Sequence, residues 1–177
     1  MIAYRNCDGR YPFLWEGSAQ PAARWHPVGE GPVQYLADTP VGAWAEFLRH
    51  EDITDEDDLE GVQRALWAVE IGDPPTRAPS LPVTTSTGGR GTYPACQADG
   101  KRLRGAGVAG LVAKSAALKD GAAGGQRVEA GLRDGPAADG RVFVLFGARP
   151  DLLGWLIVDP GRPPAEALPA VRHFPKK

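Results

Sequence analysis

Glycine and proline together supply 40 of the 177 residues, and this limits the fold more than any other feature. Prolines remove backbone donors and glycines permit turns that other residues resist, so the chain must consist of short strands and short helices joined by many turns. Long coiled coils are excluded. Hydrophobic residues make up 42% and charged residues 24%, near the average of globular proteins, so a sizeable core is expected and wholesale disorder is not. The length suits a single domain over residues 1–177, with a Pro-rich tail from about residue 160.

Between the turns, Val33–Ala37 reads as a strand bounded by Gly31-Pro32 and by Asp38-Thr39-Pro40. A helix follows, with Thr39 as its N-cap, Pro40 at its first position and an apolar face of Ala43, Trp44, Phe47 and Leu48 running to about His50. Residues 2–5 form a short strand. Residues 65–71 alternate, with Trp67, Val69 and Ile71 on one side, and Gly72-Asp73-Pro74-Pro75 stops them. Residues 110–113, 142–146 and 155–158 are further apolar strands, and a second short helix is expected after Pro94, through Cys96, Ala98 and Leu103, to Gly105. Residues 51–60 hold seven acids and read as a solvated face or a loop-to-helix entry. Residues 77–91 and 121–140 read as long loops, and the tail from Pro160 as extended. Strands joined by mixed connections, without a regular β-α alternation, predict an α+β fold.

Twenty Lys and Arg stand against 22 Asp and Glu, too little positive charge for a protein that grips nucleic acid mainly through phosphates. No direct nucleic-acid partner is expected. No apolar run reaches signal or spanning length, so no membrane partner is expected either. Cys7 and Cys96 lack disulfide or metal spacing, and His26, His50 and His173 are scattered and read as polar or loop residues. The expectation is no metal and a reduced, cytoplasmic setting. Residues 105–110 satisfy GxGxxG, but Lys101-Arg102-Leu103-Arg104 stands where the dinucleotide fingerprint needs an apolar strand. The five tryptophans fall in separate elements and suit core or cleft walls better than a base-stacking platform.

The segments Arg24-Trp25-His26-Pro27-Val28-Gly29, Tyr35-Leu36-Ala37-Asp38-Thr39-Pro40 and Ala45-Glu46-Phe47-Leu48-Arg49-His50 follow one another in a specific pattern. It resembles the RES domain, a family of bacterial toxins named for Arg, Glu and Ser. Tyr4-Arg5 resembles the family's opening aromatic-Arg pair, while Tyr93-Pro94 through Gln97 and Gly110-Leu111-Val112-Ala113-Lys114-Ser115 resemble its later Gln and Ser motifs. Ala22-Ala23 stand where Gly-Gly is usual, His26 where Asn is usual, and Lys114 where Pro usually precedes the Ser. The resemblance implies a fold similar to ADP-ribosyltransferases, with small split β-sheets and short helices around an NAD+ cleft. It implies NAD+ as a consumed substrate with no separate cofactor, cleavage at the nicotinamide–ribose bond by hydrolysis or phosphorolysis, and a cognate Xre-like antitoxin as partner. The alternatives are transfer of ADP-ribose to a macromolecule and a degenerate, non-catalytic binding module. A homo-oligomer is left open.

Cleavage at this bond builds positive charge on the ribose, which a carboxylate can stabilise; by the resemblance that group is Glu46, otherwise a solvent-facing helix residue pairing with Arg49 or His50. Arg5 and Arg24 suit a pyrophosphate, whose oxygens match a planar guanidinium; the alternatives are surface ion pairs or stacking on an aromatic face. Tyr35 would position nicotinamide or ribose, or pack as a half-buried strand tyrosine. Ser115 would contact the ligand, or serve as a turn or helix cap. Lys101, Arg102 and Arg104 would meet acidic groups of an antitoxin, or form a plain solvated face.

Overall fold

The computed structural model describes residues 1–175. In chain order its regular elements are β1 (Ile2–Cys7), β2 (Val33–Ala37), α1 (Pro40–His50), β3 (Arg64–Glu70), β4 (Thr76–Arg77), α2 (Val83–Ser86), α3 (Tyr93–Gly105), β5 (Gly110–Lys114), β6 (Gln126–Val128), β7 (Leu132–Asp134), β8 (Arg141–Phe146) and β9 (Leu153–Gly161). The fold is α+β.

The main sheet has the order β4-β5-β8-β2-β1-β3-β9. It is mixed, since β4 runs parallel to β5 while the other neighbours are antiparallel. β8 is apolar at consecutive positions because both of its faces are covered. Val142 and Val144 enter one core with Leu111, Trp25, Cys96 and Leu103, while Phe143 and Leu145 enter another with Ala3, Leu36, Val69 and Ile71. The second core joins side chains from both halves of the sheet, so the β1-β3 half packs against the back of the β2-β8-β5 half.

Between those halves the ladder nearly stops. β1 pairs with β3 at six positions and β2 with β8 at five, yet β1 and β2 share only the pair Tyr4–Ala37. The two halves of the sheet therefore meet at one ladder pair and part beyond it, and the backbone between them leaves room for a cleft.

Helix α1 begins as the sequence predicts: the Thr39 hydroxyl accepts from Gly42 N at 3.1 Å, with Pro40 in the first turn. Ala43 and Trp44 pack on Leu66, while Ala45 and Leu48 pack with Leu59, Leu118, Ala167 and Val171. With both flanks buried, the helix has little freedom to rotate, and Glu46 is fixed on the stripe between them.

Several expectations change. Residues 77–91 are not one extended loop, for they contain the last residue of β4, helix α2 and the beginning of a 3-10 turn at Arg90–Thr92. Residues 121–140 contain the exposed hairpin β6-β7. The tail forms a 3-10 helix over Ala165–Ala170, because Ala167 and Val171 fill the groove beside α1. β9 is longer than its apolar run and lies at the sheet edge, with Leu153, Trp155, Leu156 and Ile157 exposed. The GxGxxG match is the end of α3 and its turn into β5, with Gly107 at φ +72°, the reverse of a strand-to-helix phosphate loop.

Gly100 sets how closely α3 approaches the loop before β2. A Cβ there would lie 2.3 Å from the Trp25 carbonyl oxygen, and that oxygen belongs to backbone that cannot yield cheaply. Gly100→Ala is expected to lower stability by about 1–3 kcal/mol, read as a reduced urea midpoint at unchanged slope.

Candidate active site

A cavity of about 510 Å³ occupies the place where β1 and β2 part, within the roughly 300–1,000 Å³ usual for small-molecule sites. Tyr4, Arg5 and Asn6 line it from β1, Tyr35 from β2, and Glu46 and Arg49 from α1. The loop before β2 supplies Trp15 and Arg24. Of the five site residues picked out in the sequence, four line this one cavity: Arg5, Arg24, Tyr35 and Glu46.

Two glutamines hold the loop in place. Gln20 Nε2 donates to Val33 O at 2.8 Å and its Oε1 accepts from Val33 N at 2.7 Å, so it completes the ladder at the start of β2. Gln34 does the same for Trp15, accepting from its N at 2.9 Å and donating to its O at 2.7 Å. From α3, Gln97 Nε2 donates to Ala23 O at 2.9 Å and to His26 O at 3.3 Å, pinning the turn that carries Arg24.

Arg24 is 8% exposed. Its Nη2 donates to Gly88 O at 2.8 Å and its Nη1 to Thr92 Oγ1 at 3.2 Å, and its Cζ lies 4.7 Å from the Tyr93 ring centre. Arg5 is different: its enclosed Nη1 has no hydrogen-bond partner. Burial, with Arg64 acting in the same direction, lowers its pKa to about 10, so it stays charged at neutral pH. An enclosed, charged N–H without an acceptor costs about 1–3 kcal/mol or more, a cost that a bound anion would remove.

The Tyr35 hydroxyl is fully engaged. His26 Nε2 lies 3.0 Å from Pro21 O, which can only accept, so that nitrogen carries the proton. Burial lowers the His26 pKa and favours the neutral ring. His26 Nδ1 then accepts from the Tyr35 hydroxyl at 2.9 Å, and Tyr35 in turn accepts from Trp25 N at 3.1 Å. Burial raises the Tyr35 pKa, so the phenol stays protonated. His26, read as a polar or loop residue, is 0% exposed because this chain of bonds satisfies both ring nitrogens. Tyr35→Phe would strand Trp25 N and His26 Nδ1, with an expected loss of about 1–3 kcal/mol in urea unfolding.

The Glu46 side chain is 34% exposed. Burial raises its pKa, while Arg49, Arg24 and a hydrogen bond from Ser115 hold the rise in check. His50 Nε2 lies 3.8 Å from Glu46 Oε2. Burial, then Arg90, Arg49 and Arg24, lower the His50 pKa, so at neutral pH this contact is not an ion pair. Ser115 is 3% exposed and is not part of the cavity wall. Its oxygen accepts from Ala117 N and Leu118 N, both at 3.2 Å, while its hydroxyl faces Glu46. It thus serves as the turn residue the sequence offered as its alternative role and sits beside the acid.

In the sequence Arg49 is only a neighbour of Glu46 at i+3, yet it lines the cavity and is 2% exposed. Its basic position in the last turn of α1 was the one available signal. Trp15, Gln20 and Gln34 gave none. Lys101 and Arg104 pair with Glu30 at 3.3 and 3.4 Å, and Arg102 with Asp99 at 2.7 Å, so the basic run is already partnered. Among the described residues no group of three or more His, Cys, Asp or Glu is placed to hold a metal, and no helix is long and apolar enough to cross a membrane.

Residues 3–163 match the family model described as RES domain. No curated protein matches the sequence. Among solved structures the chain is similar to the M. tuberculosis MbcT-MbcA toxin-antitoxin complex, with a TM-score of 0.56, 17% identity, and coverage of 89% of this chain and 84% of that chain. At that identity the likeness is one of fold.

Proposed function

Since this chain belongs to the RES domain family, we propose that it is a toxin-type enzyme that binds NAD+ and breaks the nicotinamide–ribose bond, depleting NAD+ by hydrolysis or phosphorolysis. The observation that supports this most is the gathering of the Glu46 carboxylate, the Arg5 and Arg24 guanidiniums and the Tyr35 ring around a single cavity where the two halves of the sheet part.

As the C–N bond breaks, nicotinamide leaves with the bonding electrons as a neutral ring and the ribose takes up positive charge. The Glu46 carboxylate would stabilise that charge from beside the sugar. Arg24 and Arg49 favour its ionised form, and Ser115 orients it. Arg5, with its unpartnered N–H, and Arg24 would hold the pyrophosphate. The Tyr35 ring would offer a flat face to nicotinamide or ribose; its hydroxyl, committed to His26 and Trp25, works by position and not by proton transfer. NAD+ is the substrate, so the reading requires neither a redox cycle nor a metal.

The departure at residue 26 supports an active enzyme over a degenerate module, since His26 fixes the phenol it touches. By analogy with MbcT, whose structure is a complex with an antitoxin, we take an Xre-like antitoxin as the partner. The free thiols of Cys7 and Cys96 fit a reducing cytoplasm.

The test is release of nicotinamide from NAD+ by the purified chain. Label from ADP-ribose would end in free ADP-ribose or its phosphorylated product; label retained on protein or nucleic acid would favour the transferase reading. No release across the neutral pH range overturns the proposal.

A further inference from the structure

Resting on the reading above, we propose that Arg49 is a phosphate-group ligand in the same cavity, braced from outside it by Phe174. Arg49 stands in the last turn of α1, three residues beyond Glu46, and lines the cavity while almost wholly buried. Its Nη2 donates to Gly88 O at 3.2 Å, the carbonyl that Arg24 also uses. Its Nε and Nη1 are enclosed and have no hydrogen-bond partner. Glu46 acts on its charge, yet neither nitrogen has an acceptor.

A buried guanidinium with two idle nitrogens and a single hydrogen bond, to Gly88, needs further support. Here that is Phe174, whose ring centre lies 4.2 Å from Arg49 Cζ and 4.8 Å from Arg90 Cζ. Phe174 does not line the cavity, so the ring supports the guanidinium without occupying the ligand's space. The tail is anchored just before it: Arg172 N donates to Ala117 O at 2.6 Å and Arg172 Nη2 to Asp120 Oδ1 at 2.5 Å. The tail thus brings an aromatic ring to Arg49 from far along the chain.

The ligand chemistry follows from the charge balance. The cavity wall carries the guanidiniums of Arg5, Arg24 and Arg49 against the carboxylates of Glu46 and Glu51, while Lys114 is paired with Asp120 and Asp139, leaving a net cation to be matched. Guanidinium N–H groups in a dry setting suit tetrahedral oxyanions, and the anionic groups of the proposed substrate are phosphates. The group is either a phosphate of the dinucleotide or free inorganic phosphate. In the second case a phosphate oxygen forms the bond to ribose C1 as the C–N bond breaks. The electron pair leaves with nicotinamide, giving neutral nicotinamide and ADP-ribose 1-phosphate.

Two titrations of the full chain, followed by phosphorus NMR, separate the sources: one with inorganic phosphate and one with ADP-ribose. Arg49→Met is expected to weaken at least one of them by about tenfold or more. Phe174→Ala, which leaves the cavity wall intact, is expected to weaken the same ligand by about threefold, and covers the case in which Arg49→Met fails to fold. Loss confined to inorganic phosphate, with stimulation of nicotinamide release by phosphate also lost, identifies the free ion. Loss confined to ADP-ribose, with a raised KM for NAD+, identifies the dinucleotide's own phosphate. If neither ligand binds the parent chain, or if both variants bind both ligands within twofold of it, the subsite is refuted. Binding that depends on Arg49 without any nicotinamide release would leave the subsite standing and refute the enzymatic reading alone.

Discussion

Glu46→Gln is expected to reduce nicotinamide release by about 10²–10³-fold and, at neutral pH, to raise the melting temperature. Both effects come from the same setting. Glutamine keeps the shape of the side chain and can still hydrogen-bond Ser115, but it brings no charge to oppose the cation forming on the ribose. Loss of rate without loss of fold separates a catalytic carboxylate from a packing residue.

The stability gain has a definite pH signature. Burial raises the Glu46 pKa above its ordinary value of 4.5 despite the two arginines and the serine. The folded state therefore holds the proton more tightly than the unfolded state, and stability associated with this group falls as pH rises from the ordinary value through the raised one. Near pH 3, well below the ordinary value, the residue is protonated in both states, and the parent chain and the glutamine variant should melt together. At neutral pH the parent carries an ionised acid in a site that penalises it, and the gap should be full. Melting curves at the two pH values check this. The acid limb of nicotinamide release should lie above 4.5 for the same reason, and a variant that melts lower than the parent at neutral pH would contradict the assignment.

Local signals made part of this molecule readable in advance. β2 and α1 occur at their expected residues because Thr39, Pro40 and the spacing of Ala43, Trp44 and Leu48 all act within one turn of the positions they decide. The cavity walls depend on partners far apart in sequence. Gln34 holds Trp15 across 19 residues, and Gln97 holds the Arg24 turn across more than 70; no periodicity encodes either contact. Arg49 illustrates the limit best. Seen along its helix it is a basic residue at i+3 from an acid, the commonest of surface pairs. Only the Gly88 loop on one side and Phe174 on the other make it a buried, half-satisfied cation. The hairpin β6-β7 leaves no mark on the sequence for a different reason: its strands are three residues long and wholly exposed, so they carry no alternation between buried and solvent faces.

Arg24→Lys is expected to be nearly as damaging to activity as removal of the acid, with stability lower by about 2–3 kcal/mol. A lysine keeps the charge but cannot keep the geometry. The Arg24 guanidinium makes three contacts at once, with the Gly88 carbonyl, the Thr92 hydroxyl and the Tyr93 ring face. Those contacts tie the loop before β2 to the start of α3. A single ammonium reaches one of the oxygens and cannot stack as a plane. With the loop loosened, the support for the Trp25 and His26 contacts to Tyr35 weakens too, and the phenol loses its fixed position. The charge near Glu46 persists in the lysine variant, so its acid limb should stay close to that of the parent while the rate falls by about 10²-fold. Arg24→Met removes the charge as well and should move that limb upward, because Arg24 is one of the two cations holding the Glu46 pKa down. Comparing the pH profiles of the two variants therefore separates what Arg24 does by shape from what it does by charge. Equal limbs in both would assign the restraint on Glu46 to Arg49 and Ser115 alone.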